Sequence, residues 1–129
     1  MENFIIEGTH IVPTINFDSD TGVLKINGRL ISISGQEYQY FRPLIDWINK
    51  YSLEPAKKTN LDIDLEYCSS GGMKVIFQLF KILEKMYNDG NDVSIVWHYY
   101  IDDEDSEEKG SQFQRLFKLP FQVLAHSKD

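Results

Sequence analysis

The sequence is poor in the features that usually announce a function. It has one cysteine, Cys68, so no intramolecular disulfide can form, which fits a reducing compartment. No apolar run approaches the length of a membrane span. The opening residues MENFIIEGTH carry neither the basic nor the long apolar region of a secretory signal. Basic charge is scarce: 13 Lys and Arg stand against 20 Asp and Glu, a net charge of -7. Such a chain repels phosphate backbones, which disfavours nucleic acid as a partner. No nucleophile elbow, Walker, Rossmann or zinc spacing occurs. These absences predict a cytoplasmic protein that binds neither nucleic acid nor membrane, needs no cofactor and is not an enzyme.

What is present is a globular composition, 42% hydrophobic and 26% charged, in a length that predicts one domain over residues 1–129. Residues 61–90 organise the rest. Leu61, Ile63, Leu65 and Tyr67 alternate with Asp62, Asp64 and Glu66, the period of a half-buried strand. The alternation stops at Cys68-Ser69-Ser70-Gly71-Gly72. From Met73 the spacing turns helical, with Met73, Ile76, Phe77, Phe80, Leu83 and Tyr87 as the apolar face. Lys74, Gln78, Lys81 and Lys85 form the polar stripe, and Gly90 suits a left-handed stop.

Around this unit, residues 12–27 read as a β-hairpin turning at Asp18–Gly22, and Leu30 to Ile33 as an extension of its second strand. Ser34 and Glu37 have capping-box spacing before a turn or irregular helix over 36–41. A main helix follows with Pro43 in its first turn, burying Leu44, Ile45, Trp47, Ile48 and Tyr51. Residues 52–60 read as a linker. Val93, Ile95, Trp97 and Tyr99 line one side of a further strand, with Val96 and His98 on the other. The acidic run 102–109 reads as a loop or helix start, 112–117 as a short helix, 121–124 as a last strand, and the tail from His126 as frayed. The order is that of an α/β protein. A row of acids cannot be buried cheaply, so helices should cover mainly one face of a mixed sheet, in two layers. At fold level this resembles STAS-type anti-sigma-factor antagonists.

Ser69 and Ser70 are the foremost candidates for chemistry. A hydroxyl at a strand-to-helix turn sits beside unpaired amides and the positive end of the helix dipole, where a phosphate is stabilised. The plain alternative is that one of them is only a helix cap. Cys68 reads as a buried, inert thiol, and His98 as structural or exposed. Asp62, Asp64 and Glu66 read as solvated carboxylates and not as metal ligands.

A set of short pieces, in order along most of the chain, resembles the SiaC family of small bacterial regulatory phosphoproteins. They are Gly8-Thr9, Pro13-Thr14-Ile15 with Phe17, Ile26-Asn27-Gly28, Pro43 to Trp47, Asp64 to Tyr67 with Ser70 and Lys74, Val96 to Tyr99, and Leu119-Pro120-Phe121. The resemblance implies a STAS-like fold and a partner-switching role. A cognate protein kinase would phosphorylate Ser70, or alternatively Ser69, and a PP2C-type phosphatase would reverse it. The unmodified form would bind and activate a diguanylate cyclase, linking the protein to cyclic-di-GMP and biofilm signalling. Ser70 stands where the family has a threonine, and Gly71 and Gly72 where it has two serines. The partner surface implied is Ser69, Ser70, Gly71, Gly72 and Lys74. The alternatives are an interaction module that is never phosphorylated, and an enzyme using Cys68, Ser70 or His98.

Overall fold

In the computed structural model, described for residues 1–31 and 41–127, strands and helices follow in the order β1 (Phe4–Ile6), β2 (Thr14–Phe17), β3 (Val23–Leu30), α1 (Arg42–Tyr51), β4 (Lys58–Cys68), α2 (Ser70–Asn88), β5 (Asp92–Tyr100), α3 (Glu104–Leu116) and β6 (Phe121–His126). The predicted capping box at Ser34 and Glu37, the end of the proposed strand extension, and all but the last residue of the segment 36–41 lie outside the described residues. The six strands form one sheet in sequence order. β1, β2 and β3 are antiparallel neighbours, while β3 to β6 run parallel. Parallel neighbours need crossovers, and the right-handed rule puts successive crossover helices on the same face. Accordingly, Ile48 of α1, Leu79 and Phe80 of α2 and Phe113 of α3 share one buried cluster with Leu24, Leu61, Ile63, Ile95 and Trp97 of the sheet.

The hairpin turn is built by Asp18, whose Oδ1 accepts from the amides of Asp20 at 2.9 Å and Thr21 at 3.2 Å. Gly22 closes it with φ 75°, and its carbonyl accepts from Asn60 at 2.9 Å, so the turn also anchors β4. β4 begins at Lys58, earlier than the predicted linker allowed. In α1, Pro43 lies in the first turn as expected, and Leu44, Ile45, Ile48 and Tyr51 are buried.

Four readings need correction. The segment 102–117 is one helix from Glu104, because Asp103 caps it, accepting from Ser106 N at 3.0 Å, and Glu104, Asp105 and Glu107 in the first turn favour the dipole. α2 is rotated relative to the predicted face: Val75, Leu79 and Met86 join Ile76, Phe80 and Leu83 inside, leaving Phe77 and Tyr87 exposed. Both stripes have helical spacing, and packing against α1 and the sheet selects the one with more branched aliphatics. β6 continues to His126, which pairs with Tyr100 and is held by Asp64 at 3.1 Å. Finally, Tyr67 does not continue the inward row of β4. The β3–β4 register shifts between Gly28 and Arg29, so Leu65 pairs with Gly28 but Tyr67 with Arg29. Glu66 is the extra residue, and beyond it the inward position passes to Cys68 while Tyr67 is 52% exposed.

The face away from the helices is polar. Asn60 accepts from Ser94 Oγ at 2.8 Å and donates to Asp62 at 3.1 Å, and His98 Nε2 lies 3.0 Å from Asp62. Asp62 and Asp64 are thus half-buried and paired with His98 of β5 and His126 of β6, not simply solvated, while Glu66 is exposed as expected.

Candidate functional site

The turn from β4 into α2 is held from three sides. Ser69 N donates to Leu30 O at 2.9 Å, tying the turn to the end of β3. Ser69 has extended backbone, φ -69° and ψ 164°, and its Oγ accepts from Gly72 N at 3.1 Å, while its carbonyl accepts from Met73 N at 2.9 Å. Ser69 is therefore the N-cap, and it satisfies one of the amides that a helix start leaves open. Ser70 follows as the first helical residue, exposed and without the capping role. No acidic side chain lies in the first turn of α2, so the helix dipole there is unopposed by the chain's own carboxylates.

Gly72 has a role the sequence reading misplaced. It is buried, and a Cβ there would come within 2.7 Å of Leu30 Cγ and 3.1 Å of Cys68 Sγ. The close approach it permits is that of its own chain, where the first turn of α2 presses on the end of β3. Of the predicted partner surface, Ser70 and Lys74 are exposed, Ser69 and Gly71 are half-buried, and Gly72 lies beneath them.

Cys68 faces the helices and is buried, and burial pushes its thiol up to about 12 despite the nearby ammonium of Lys109. Its Sγ donates to Ser69 O at 3.6 Å. His98 is on the opposite face of the sheet, bound to Asp62. The three residues of the enzymatic alternative are thus divided between two faces, and no thiolate is available near neutral pH. Lys109, which sequence reasoning passed over as part of an acidic run, reaches across from α3, its Nζ 3.5 Å from Cys68 O. Only its placement at i−4 from the buried Phe113 could have pointed inward.

Beside this turn, α2 and α3 leave a cleft of about 500 Å³ lined by Met73, Lys74, Phe77, Gln78 and Phe113. Among the described residues no group of three or more His, Cys, Asp or Glu side chains is arranged to hold a metal ion, and no helix is long and apolar enough to cross a membrane.

Comparison with known proteins agrees with this geometry over nearly the whole chain. A curated relative from Pseudomonas aeruginosa strain UCBPP-PA14, an uncharacterised protein, is 28% identical over 128 residues, covering 99% of this chain and 100% of the relative. Among solved structures, apo-SiaC from Pseudomonas aeruginosa superposes with a TM-score of 0.85 at 25% identity, covering 97% of this chain and 100% of that one. The structure of the diguanylate cyclase SiaD in complex with its activator SiaC, from the same organism, matches with a TM-score of 0.87 at 28% identity, over 95% of this chain and 99% of that one. The model of the SiaC family of regulatory phosphoproteins matches residues 6–126, and the chain belongs to that family.

Proposed function

We propose that this chain is the phosphorylation-controlled element of a partner-switching pathway, acting in the cytoplasm as one domain and not itself an enzyme. In its unmodified form it binds and activates a diguanylate cyclase. A cognate kinase transfers the γ-phosphoryl group of ATP to Ser70 Oγ, releasing ADP, and a PP2C-type phosphatase hydrolyses the ester to restore the serine. The cyclase part of the reading is supported by the relative SiaC, the activator of the cyclase SiaD with which it was crystallised.

The observation that carries the choice of acceptor is a division of labour between two adjacent serines. Ser69 is engaged in the cap, with its Oγ 3.1 Å from Gly72 N, whereas Ser70 is exposed on the first turn. That removes the ground for treating Ser70 as a cap alone, and leaves Ser69 as the second choice. A phosphate on Ser70 adds about −1.5 to −2 charge where helix amides and dipole stabilise it. The same charge opposes docking of a partner over the turn, through like-charge repulsion and the cost of desolvating a dianion.

Incubation with the cognate kinase and ATP, followed by phosphosite mapping, tests this directly. Phosphate is expected on Ser70; phosphate found only outside Ser69 and Ser70 refutes the assignment. Ser70→Asp is expected to weaken cyclase binding while melting like the parent chain, and undiminished binding would argue against the switch.

A further inference from the structure

We infer that the outer edge of β6 pairs antiparallel with β6 of a second copy of this chain, joining the two sheets about a two-fold axis. The backbone shows what this edge offers. Ile95 N donates to Pro120 O and Ile101 N to His126 O, both at 2.9 Å, so the even-numbered residues of β6 turn their amides and carbonyls to β5. Phe121, Val123 and Ala125 turn theirs the other way, where among the described residues no further strand lies. One of these groups is engaged: Phe121 O accepts from Gln114 Nε2 of α3 at 2.8 Å, and its second lone pair is left.

Open edges are usually blunted by charge, proline, a bulge or short length. The opposite edge of the sheet follows that rule, since β1 has three residues and lies between Glu2 and Glu7. β6 does not. Its six residues, Phe121–His126, include no Asp, Glu, Lys, Arg or Pro, and they pair with β5 without a break in register. Its Leu124 is 43% exposed.

The edge is complementary to itself. With Val123 opposite Val123 of the second copy, Phe121 falls opposite Ala125, and all three pairs bring outward amides against outward carbonyls. The two Leu124 side chains then lie diagonally across the seam on the face away from the helices.

The charge on α3 favours a second copy over another strand. Glu104, Asp105, Glu107 and Glu108 fill its start, whereas Arg115 and Lys118 stand at and just past its end. Among the described residues, none of these six is in a salt bridge. A two-fold axis perpendicular to the sheet keeps both α3 helices on one face and runs them antiparallel, the acidic start of each beside the basic end of the other. Those attractions offset the repulsion between two chains that each carry -7. The surface is separate from the turn at Ser70, so it stands or falls apart from the proposed switch.

Sedimentation equilibrium of the full chain, from micromolar to near-millimolar concentration, tests this. The mass is expected to rise from 15.0 kDa toward twice that value. Val123→Pro removes an outward amide and no bond to β5, and Leu124→Lys sets two like charges across the seam. Each should weaken association about tenfold or more, with the far-UV circular dichroism of the parent. The double variant Arg115→Glu, Lys118→Glu should also stay monomeric, and so should Glu104→Lys, Glu108→Lys. Mixing these two double variants should restore the dimer, because each then supplies the charges the other needs. A mass fixed at 15.0 kDa throughout overturns the proposal. So does a dimer that is indifferent to Leu124→Lys, or a mixture of the double variants that stays monomeric.

Discussion

Replacing Ser69 and Ser70 separately by alanine should give opposite results in stability and in signalling. Ser69 Oγ accepts from Gly72 N at 3.1 Å, and removing a serine N-cap costs about 0.5–2 kcal/mol. For 129 residues the unfolding entropy near the midpoint is about 0.27 kcal/mol/K, so 1 kcal/mol shifts Tm by about 4 °C. Ser69→Ala is therefore expected to melt about 2–7 °C below the parent. Ser70 is exposed and gives the helix no cap, so Ser70→Ala should stay within about 2 °C. Ser69→Asp serves as the control, because aspartate caps as well as serine and suits the helix dipole, and should retain the parent Tm. Thermal melts followed by far-UV circular dichroism read all three. Phosphorylation by the cognate kinase should survive in Ser69→Ala, once folded, and vanish in Ser70→Ala. If Ser69→Ala melts with the parent, or Ser70→Ala loses as much as Ser69→Ala, the assignment of cap and acceptor is wrong.

Two further outcomes follow from the core. Gly110→Ala would put a Cβ within 2.8 Å of Trp97 Nε1, whose N–H donates to Ser106 O at 3.0 Å; overpacking of about 1–3 kcal/mol should lower the urea midpoint, despite alanine's higher helix propensity, and an unchanged midpoint would show that α3 can lift off the indole freely. The Cys68 thiol, pushed up to about 12 from its ordinary 9.0, stays protonated in the folded chain while the unfolded chain ionises first, so its contribution to stability is complete below pH 9 and is lost as pH rises toward 12. The alkaline decline in Tm should be shallower in Cys68→Ala, and native Cys68 should resist alkylation at pH 8 yet react at once in denaturant.

The strand-turn-helix unit was legible because its two periods are local. Alternation from Leu61 to Leu65, the break at the serines and the helical spacing from Met73 all lie in one stretch of chain. The hairpin and α1 were readable for the same reason, from Asp18 and Pro43. What stayed hidden depended on partners distant in sequence. The phase of α2 is set by which stripe meets α1 and the sheet, and both stripes have the same period. The His98–Asp62 and His126–Asp64 pairs need the register of three parallel strands, which no single strand encodes. The resemblance put Gly72 on the partner surface, whereas a Cβ there would meet Leu30 on another strand.

The exposure of Ser70 has its origin in that same hidden layer. Strict alternation along β4 would send Leu61, Ile63, Leu65 and Tyr67 inward, and would leave Cys68 facing the solvated side. The register shift opposite Gly28, a glycine with φ 121°, inserts Glu66 as an extra residue and reverses the phase of the strand end. Cys68 then turns into the core and fixes the last position of the strand. Ser69 comes within reach of Leu30 O and Gly72 N, and the chain enters α2 with Ser70 on the outer side. The acceptor role proposed for Ser70 requires a hydroxyl that is accessible and yet sits at a helix start that is rigidly held. The bulge, the cap and the Gly72 contact together meet both demands, and the last of these is made with Leu30 of β3.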